Sequence, residues 1–227
     1  MSLKVSELFL SIQGESSFAG LPTVFIRLTG CNLRCLYCDT TYAYEGGIDR
    51  SVEQIVQEVM SFGYTLVEIT GGEPLMQTET PLLASRLQQE GCTVLVETNG
   101  SLDISVLPPE VIRIMDMKCP SSGENHSIRW ENLWKLTPKD EVKFVISDRH
   151  DYEWARGILR ERFSVIRAQI LFSTVFGELP PRKLAQWMLN DRIQARFQLQ
   201  IHKVIWPQDS RSGRSSEYTG RSEADSE

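Results

Sequence analysis

The chain has 227 residues, 41% hydrophobic and 24% charged, with 24 Lys and Arg against 30 Asp and Glu for a formal net charge of −6. That balance suits one globular domain with a sizeable core and argues against a binder of duplex nucleic acid, which needs a clustered basic face. No apolar run approaches the roughly 18 residues that cross a bilayer, and residues 1–5 carry no apolar signal core. The expectation is a cytoplasmic protein with no direct nucleic-acid or membrane partner.

In chain order, residues 23–28 are a β-branched run read as a strand. A helix follows over 52–62, apolar at 52, 55, 56, 59 and 60, with Ser51 as N-cap and Gln54 completing a capping box. Residues 66–70 are the next strand, and a helix over 81–90 stops at Gly91. Strands are read at 93–97, 111–115, 142–146 and 169–172, helices at 150–162 and 181–190, and a last strand at 197–203. Residues 208–227 are rich in Ser, Arg, Asp and Glu and hold no aliphatic residue larger than alanine. Such a segment cannot bury enough apolar surface to order itself, so a core domain over 1–207 and a disordered tail over 208–227 are expected.

Six strands alternating with helices favour right-handed βαβ units around a parallel sheet. They are too few to close an eight-fold barrel, so an α/β fold of open or partial barrel type follows, with functional residues at the C-terminal ends of the strands. The unusual residues stand there: Gly30 and Cys31, then 71–74, then 98–100, then 116–118.

Five cysteines without a signal segment are a poor disulfide framework. Cys92 and Cys119 stand alone and are read as small buried hydrophobes. Cys31, Cys35 and Cys38 make a C-x3-C-x2-C loop. Structural zinc takes four ligands, and His126, His150 and His202 are remote in sequence. Three thiolates can hold three irons of a [4Fe–4S] cluster and leave the fourth open. A zinc site completed by a distant ligand and a redox trio are the alternatives at this point.

This loop followed by Gly71, Gly72, Glu73 and Pro74 resembles the radical S-adenosylmethionine superfamily. The resemblance implies a partial (β/α)6 barrel, a [4Fe–4S] cluster on Cys31, Cys35 and Cys38, and S-adenosylmethionine cleaved to a 5′-deoxyadenosyl radical that abstracts a substrate hydrogen. It also implies cofactor contacts at Tyr37, Cys38, Asp39, Gly72, Glu73, Asn99, Asp116, Met117, Lys118, Phe172, Ser173, Thr174 and Val175.

Within that superfamily, the Ser11, Gln13, Gly14, Glu15 stretch, Arg27 on the first strand and Asp39-Thr40 after the last cysteine resemble the 7-carboxy-7-deazaguanine synthases. The resemblance runs from about residue 5 to 206. It implies conversion of 6-carboxy-5,6,7,8-tetrahydropterin to 7-carboxy-7-deazaguanine with loss of ammonia, a step toward queuosine and related 7-deazapurines. Substrate contacts are then expected at Ile12, Gln13, Gly14, Glu15, Arg27, Thr70 and Pro207, and magnesium at Thr40. A flavodoxin or ferredoxin donor and a homodimer are further expectations. The residue chemistry agrees: Gln13 and Glu15 suit a donor- and acceptor-rich pterin edge, and Arg27 a carboxylate. An activating enzyme for glycyl radical enzymes and a non-catalytic zinc or redox module are the competing functions.

Overall fold

The computed structural model describes residues 2–162 and 166–206. The strands are β1 (Ser2–Ile12), β2 (Pro22–Leu28), β3 (Ile48–Ser51), β4 (Leu66–Gly71), β5 (Thr93–Thr98), β6 (Ile112–Met117), β7 (Glu141–Ile146), β8 (Gln169–Thr174) and β9 (Arg196–Phe197). The helices are α1 (Val52–Ser61), α2 (Thr80–Gln89), α3 (Arg149–Arg162), α4 (Pro181–Asp191) and α5 (Ile201–Ile205).

One sheet has the order β3-β1-β2-β4-β5-β6-β7-β8-β9. The six strands expected to be parallel, β2 and β4 through β8, run parallel to one another. Its two ends, β3 and β9, do not pair with each other, so the curved sheet is an open α/β barrel. The sequence reading missed β1, which pairs antiparallel with β2, and β3, which pairs antiparallel with β1 at the sheet edge. Over 2–12 the side chains are mixed, with Glu7 and Ser11 among apolar residues, and that weakens the strand signal.

Two apolar layers cover the outside of the sheet. Val24, Ile26, Val67, Ile69, Val94 and Val96 pack beneath α1 and α2. Met115, Met117, Val142, Phe144 and Phe172 pack beneath α3 and α4. Each fully buried aliphatic or aromatic side chain contributes on the order of 1.5–3 kcal/mol. Because strand residues alternate, the same strands aim Arg27, Glu68, Thr70, Glu97, Asp116 and Lys143 at the barrel interior. The expected capping box at α1 is present: Gln54 N donates to Ser51 Oγ at 3.2 Å and Ser51 N to Gln54 Oε1 at 2.8 Å. Cys92 and Cys119 are buried in the apolar layers, as expected.

Two readings need correction. The run 197–203 is not a strand: after Phe197 the chain leaves the sheet, and residues 201–205 form α5. Asp116 and Met117 do not follow the fourth expected strand but are its last residues, since β6 runs on to Met117. The tail 208–227 lies outside the described residues.

Candidate active site

The pocket lies at the C-terminal ends of the parallel strands, and one parallel pairing sets its geometry. Leu28 stands beside Gly71, which brings the loop after β2 against the turn after β4. A Cβ on Gly72 would sit 2.1 Å from the Gly30 carbonyl oxygen and 2.6 Å from Cys31 Cβ, so only glycine admits this approach. Glu73 N donates to the same Gly30 oxygen at 2.8 Å. The Glu73 carboxylate turns inward, buried, and accepts from Leu75 N, Thr98 Oγ1 and Asn99 N at 3.0, 2.8 and 2.7 Å. It thereby ties the ends of β4 and β5 together beneath the cysteine loop.

Cys31, Cys35 and Cys38 all line the pocket, and none is in a disulfide. Leu36 N donates to the Ser122 carbonyl at 3.0 Å and Arg34 N to Glu124 Oε1 at 2.8 Å, which anchors the loop on the segment after β6. Among the described residues, only Asp148, His150 and Asp151 bring three metal-ligating atoms within 4.8 Å of one another. The three sulfurs are therefore spread wider than tetrahedral zinc allows, since Zn–S bonds of about 2.3 Å hold sulfurs roughly 3.8 Å apart. A cubane takes one thiolate at each of several corners, which suits three thiols that line one pocket without converging on a single metal-sized point. Burial pushes the Cys35 thiol up to about 11 and Cys31 in the same direction, so iron would bind with release of protons.

The floor of the pocket is ionic. Lys143 on β7 donates to Glu15 Oε2 at 2.7 Å and to Glu97 Oε1 at the end of β5, and lies 3.7 Å from Asp116 Oδ2 on β6. Lys118 takes the same Asp116 oxygen at 2.8 Å. Burial alone would raise the Glu15 carboxyl, but the Lys143 ammonium, His202 and hydrogen bonds from Lys143 and Gln200 bring it down to about 2. Glu68 on β4 differs: burial and then the Glu97 charge raise it well above the ordinary carboxylate range, against a hydrogen bond from Gln13 Nε2. The floor thus sets a strongly acidic carboxyl, Glu15, near one whose proton affinity is raised, Glu68.

The walls come from both ends of the chain. Arg27 on β2 donates Nε to Glu7 Oε1 at 2.6 Å, and its guanidinium lies 5.9 Å from each of the Phe9 and Tyr42 rings. The Gln13 side chain is engaged at both ends, Nε2 with Glu68 and Oε1 with Glu15 N at 3.1 Å. From the C-terminal side, Ile201 N donates to the Gly14 carbonyl at 3.0 Å and Gln200 Nε2 to Glu15 Oε1 at 2.7 Å. His202 packs so closely on Gly14 that a Cβ there would lie 1.8 Å from His202 Nδ1.

Most residues named from the sequence meet in this one pocket: Ile12, Gln13, Gly14, Glu15, Arg27, Cys31, Cys35, Tyr37, Cys38, Asp39, Thr40, Thr70, Gly72, Asn99, Asp116, Lys118 and Val175. Glu73, Met117, Phe172, Ser173 and Thr174 do not line it. Met117 and Phe172 point outward into the apolar layer, where Phe172 packs edge-on against Phe144 and Tyr152. Pro207 lies outside the described residues. The sequence reading missed Glu68, Lys143, Phe176 and Gln200 as lining residues and read Glu97, His202 and Lys203 only as strand residues. Strand alternation was the signal for Glu68 and Lys143, since charge inside a buried parallel strand is unusual.

Residues 25–119 match the Radical SAM superfamily. The chain is 43% identical to 7-carboxy-7-deazaguanine synthase of Koribacter versatilis, over 92% of this chain and 99% of that protein. It is 44% identical to 7-carboxy-7-deazaguanine synthase of Chlorobaculum tepidum, over 92% of this chain and 96% of that one. Among solved structures, QueE from Escherichia coli superposes with a TM-score of 0.74 at 22% identity, covering 88% of this chain and 94% of that one, which shows a shared fold. By fold, by the three-cysteine loop and by end-to-end identity with these relatives, the chain belongs to the 7-carboxy-7-deazaguanine synthase family of radical S-adenosylmethionine enzymes.

Proposed function

We propose that this chain converts 6-carboxy-5,6,7,8-tetrahydropterin to 7-carboxy-7-deazaguanine with loss of ammonia, supplying the 7-deazapurine of queuosine. The observation that carries the reading is the meeting of the three thiols with Glu15 and Arg27 in one pocket. Iron chemistry and recognition of a small acid thus share one chamber. When bound, the cluster and S-adenosylmethionine supply a 5′-deoxyadenosyl radical to that chamber.

Cys31, Cys35 and Cys38 are the proposed cluster ligands. Tyr37, Gly72, Asn99, Asp116, Lys118 and Val175 are the proposed cofactor contacts. Arg27, with Nε taken by Glu7, presents its remaining N–H groups to the substrate carboxylate. Glu15 accepts from ring N–H groups. Ile12 and Gly14 add backbone contacts, Thr70 lines the pocket between Arg27 and the glycine turn, and Gln13 fixes the loop through Glu68 and Glu15 N. Thr40 offers a hydroxyl beside Asp39, at 3.0 Å. That suits magnesium held mainly by water and the substrate carboxylate, since this ion keeps several waters and takes few protein ligands. A flavodoxin or ferredoxin donor, a homodimeric state and a cytoplasmic setting complete the proposal.

The test is anaerobic. The reconstituted protein, given the tetrahydropterin acid, S-adenosylmethionine, magnesium and dithionite, is expected to form 7-carboxy-7-deazaguanine, identified by absorbance and mass. 5′-Deoxyadenosine without the deazapurine would move the chain to another substrate, and stoichiometric zinc without iron would remove the radical chemistry altogether.

A further inference from the structure

The ionic floor contains more charge than the proposed contacts use. Lys143 is buried, its side chain 5% exposed, and three carboxylates surround it. Asp116 is the most distant of these, at 3.7 Å, and already has Lys118 at 2.8 Å. The Lys143 ammonium therefore serves Glu15 and Glu97, which arrive from two separate elements, the loop after β1 and the end of β5. Glu141, two residues back on β7, accepts from Ser17 N at 2.9 Å and does not compete. Burial and the Glu97 charge raise the proton affinity of Glu68, and burial holds His202 below its ordinary range.

We propose that Lys143 is the positioning residue of the pocket: its ammonium braces Glu15 and Glu97 as a pair of ionised acceptors, set for the N–H donors of a flat, donor-rich heterocycle. The inference rests on the pterin reading above. Two carboxylates converging on one small volume repel, and without a counter-charge one of them takes up a proton and ceases to accept. The lysine between them balances that repulsion and holds the two carboxylates at a fixed separation. Glu97 Oε1 is held by Lys143, and Oε2 has no protein partner among the described residues, while Glu97 lines the pocket. Two of the three ammonium donors go to Glu15 and Glu97, and Asp116 Oδ2 stands 3.7 Å away, so carboxylates ring the buried Lys143 and it acts through them rather than on the substrate. A compact point charge suits this three-way arrangement better than the planar fork of arginine.

The test uses the full chain with its cluster reconstituted, in Lys143→Met, Lys143→Arg and the charge-balanced double variant Lys143→Met with Glu97→Gln. Three quantities are read: the dissociation constant of 6-carboxytetrahydropterin by calorimetry, KM and kcat for each ligand, and 5′-deoxyadenosine formed without pterin. Lys143→Met is expected to raise the pterin dissociation constant and KM by about tenfold or more. S-adenosylmethionine KM and uncoupled cleavage should change by a much smaller factor than pterin binding, and Lys143→Arg should recover part of the pterin binding. If Lys143→Met fails to fold, the double variant, which loses one charge of each sign, is expected to fold and still bind pterin weakly. Unchanged pterin affinity in either Met variant overturns the inference, as does an equal loss for both ligands. Absence of pterin binding by the unsubstituted enzyme overturns the pterin reading itself, and is distinguishable because the loss then precedes any substitution.

Discussion

Lys203 on α5 reaches Asp39 in the cysteine loop, Nζ to Oδ2 at 2.6 Å, with its ammonium 5.6 Å from the Phe176 ring. Asp39 is half-exposed, but the lysine is buried, so the pair serves to hold α5 down over the pocket rather than to stabilise the domain. Lys203→Met is expected to leave the melting temperature within a few degrees while raising KM for the pterin acid about three- to tenfold. Faster deuterium exchange over 201–206 in the variant would trace the loss to the loosened helix; unchanged exchange would detach Lys203 from pocket closure.

Gly14 is the point on which this segment rests. The Cβ of Gly14→Ala would fall 1.8 Å from His202 Nδ1, far inside any real contact, so α5 or the 13–15 loop must move. We expect pterin KM to rise at least tenfold, with iron content and circular dichroism unchanged. A normal KM would mean that the ring swings aside without cost.

Arg27→Lys keeps the positive charge but loses the fork that lets Glu7 take Nε while the other nitrogens meet a carboxylate. The expected result is a pterin KM raised about ten- to a hundredfold, with 5′-deoxyadenosine formation in the absence of pterin little changed. Equal loss in both assays would place Arg27 outside the substrate site.

The raised proton affinity of Glu68 gives a pH signature. Its folded-state affinity for a proton is raised by burial and by Glu97, so it contributes stability that is fully present below its ordinary pKa of 4.5 and is lost as pH climbs toward the raised value. Glu68→Gln is a permanent neutral mimic that can still accept from Gln13. The variant is expected to gain melting temperature over the parent, and the gain should grow from pH 5 to pH 8. A gain that is flat or shrinks with pH would mean that Glu68 is ionised in the folded protein.

Cys35→Ala is expected to abolish cluster assembly while sparing the fold. Cys35 is only partly buried and lies outside both apolar layers. Normal iron content after anaerobic reconstitution would remove it from the ligand set.

The barrel was legible because its strands carry β-branched runs and because Ser51 and Gln54 mark the start of α1. The cysteine loop was legible because spacing alone constrains what three thiols can hold. Lys143 and Glu68 were harder to see, because a single charge inside an apolar run marks an unusual position without saying which face is the interior, and only the partner strands reveal that. The role of Gln200 and His202 was invisible in sequence: a short helix among scattered polar residues has no periodic signal, and its meaning comes from contact with Gly14 and Glu15. Met117 and Phe172 illustrate the reverse, where position next to a functional segment does not decide which way a side chain points.

The hydrogen bond from Gln200 to Glu15 joins residues 185 apart in the chain. Closures of such span come late in folding, after local units have formed. The barrel can therefore be assembled, melt cooperatively and look native by bulk spectroscopy while its catalytic chamber still stands ajar. Mild heat or denaturant should silence turnover before it unfolds the domain, so thermal stability alone is a poor guide to how many molecules in a preparation are competent.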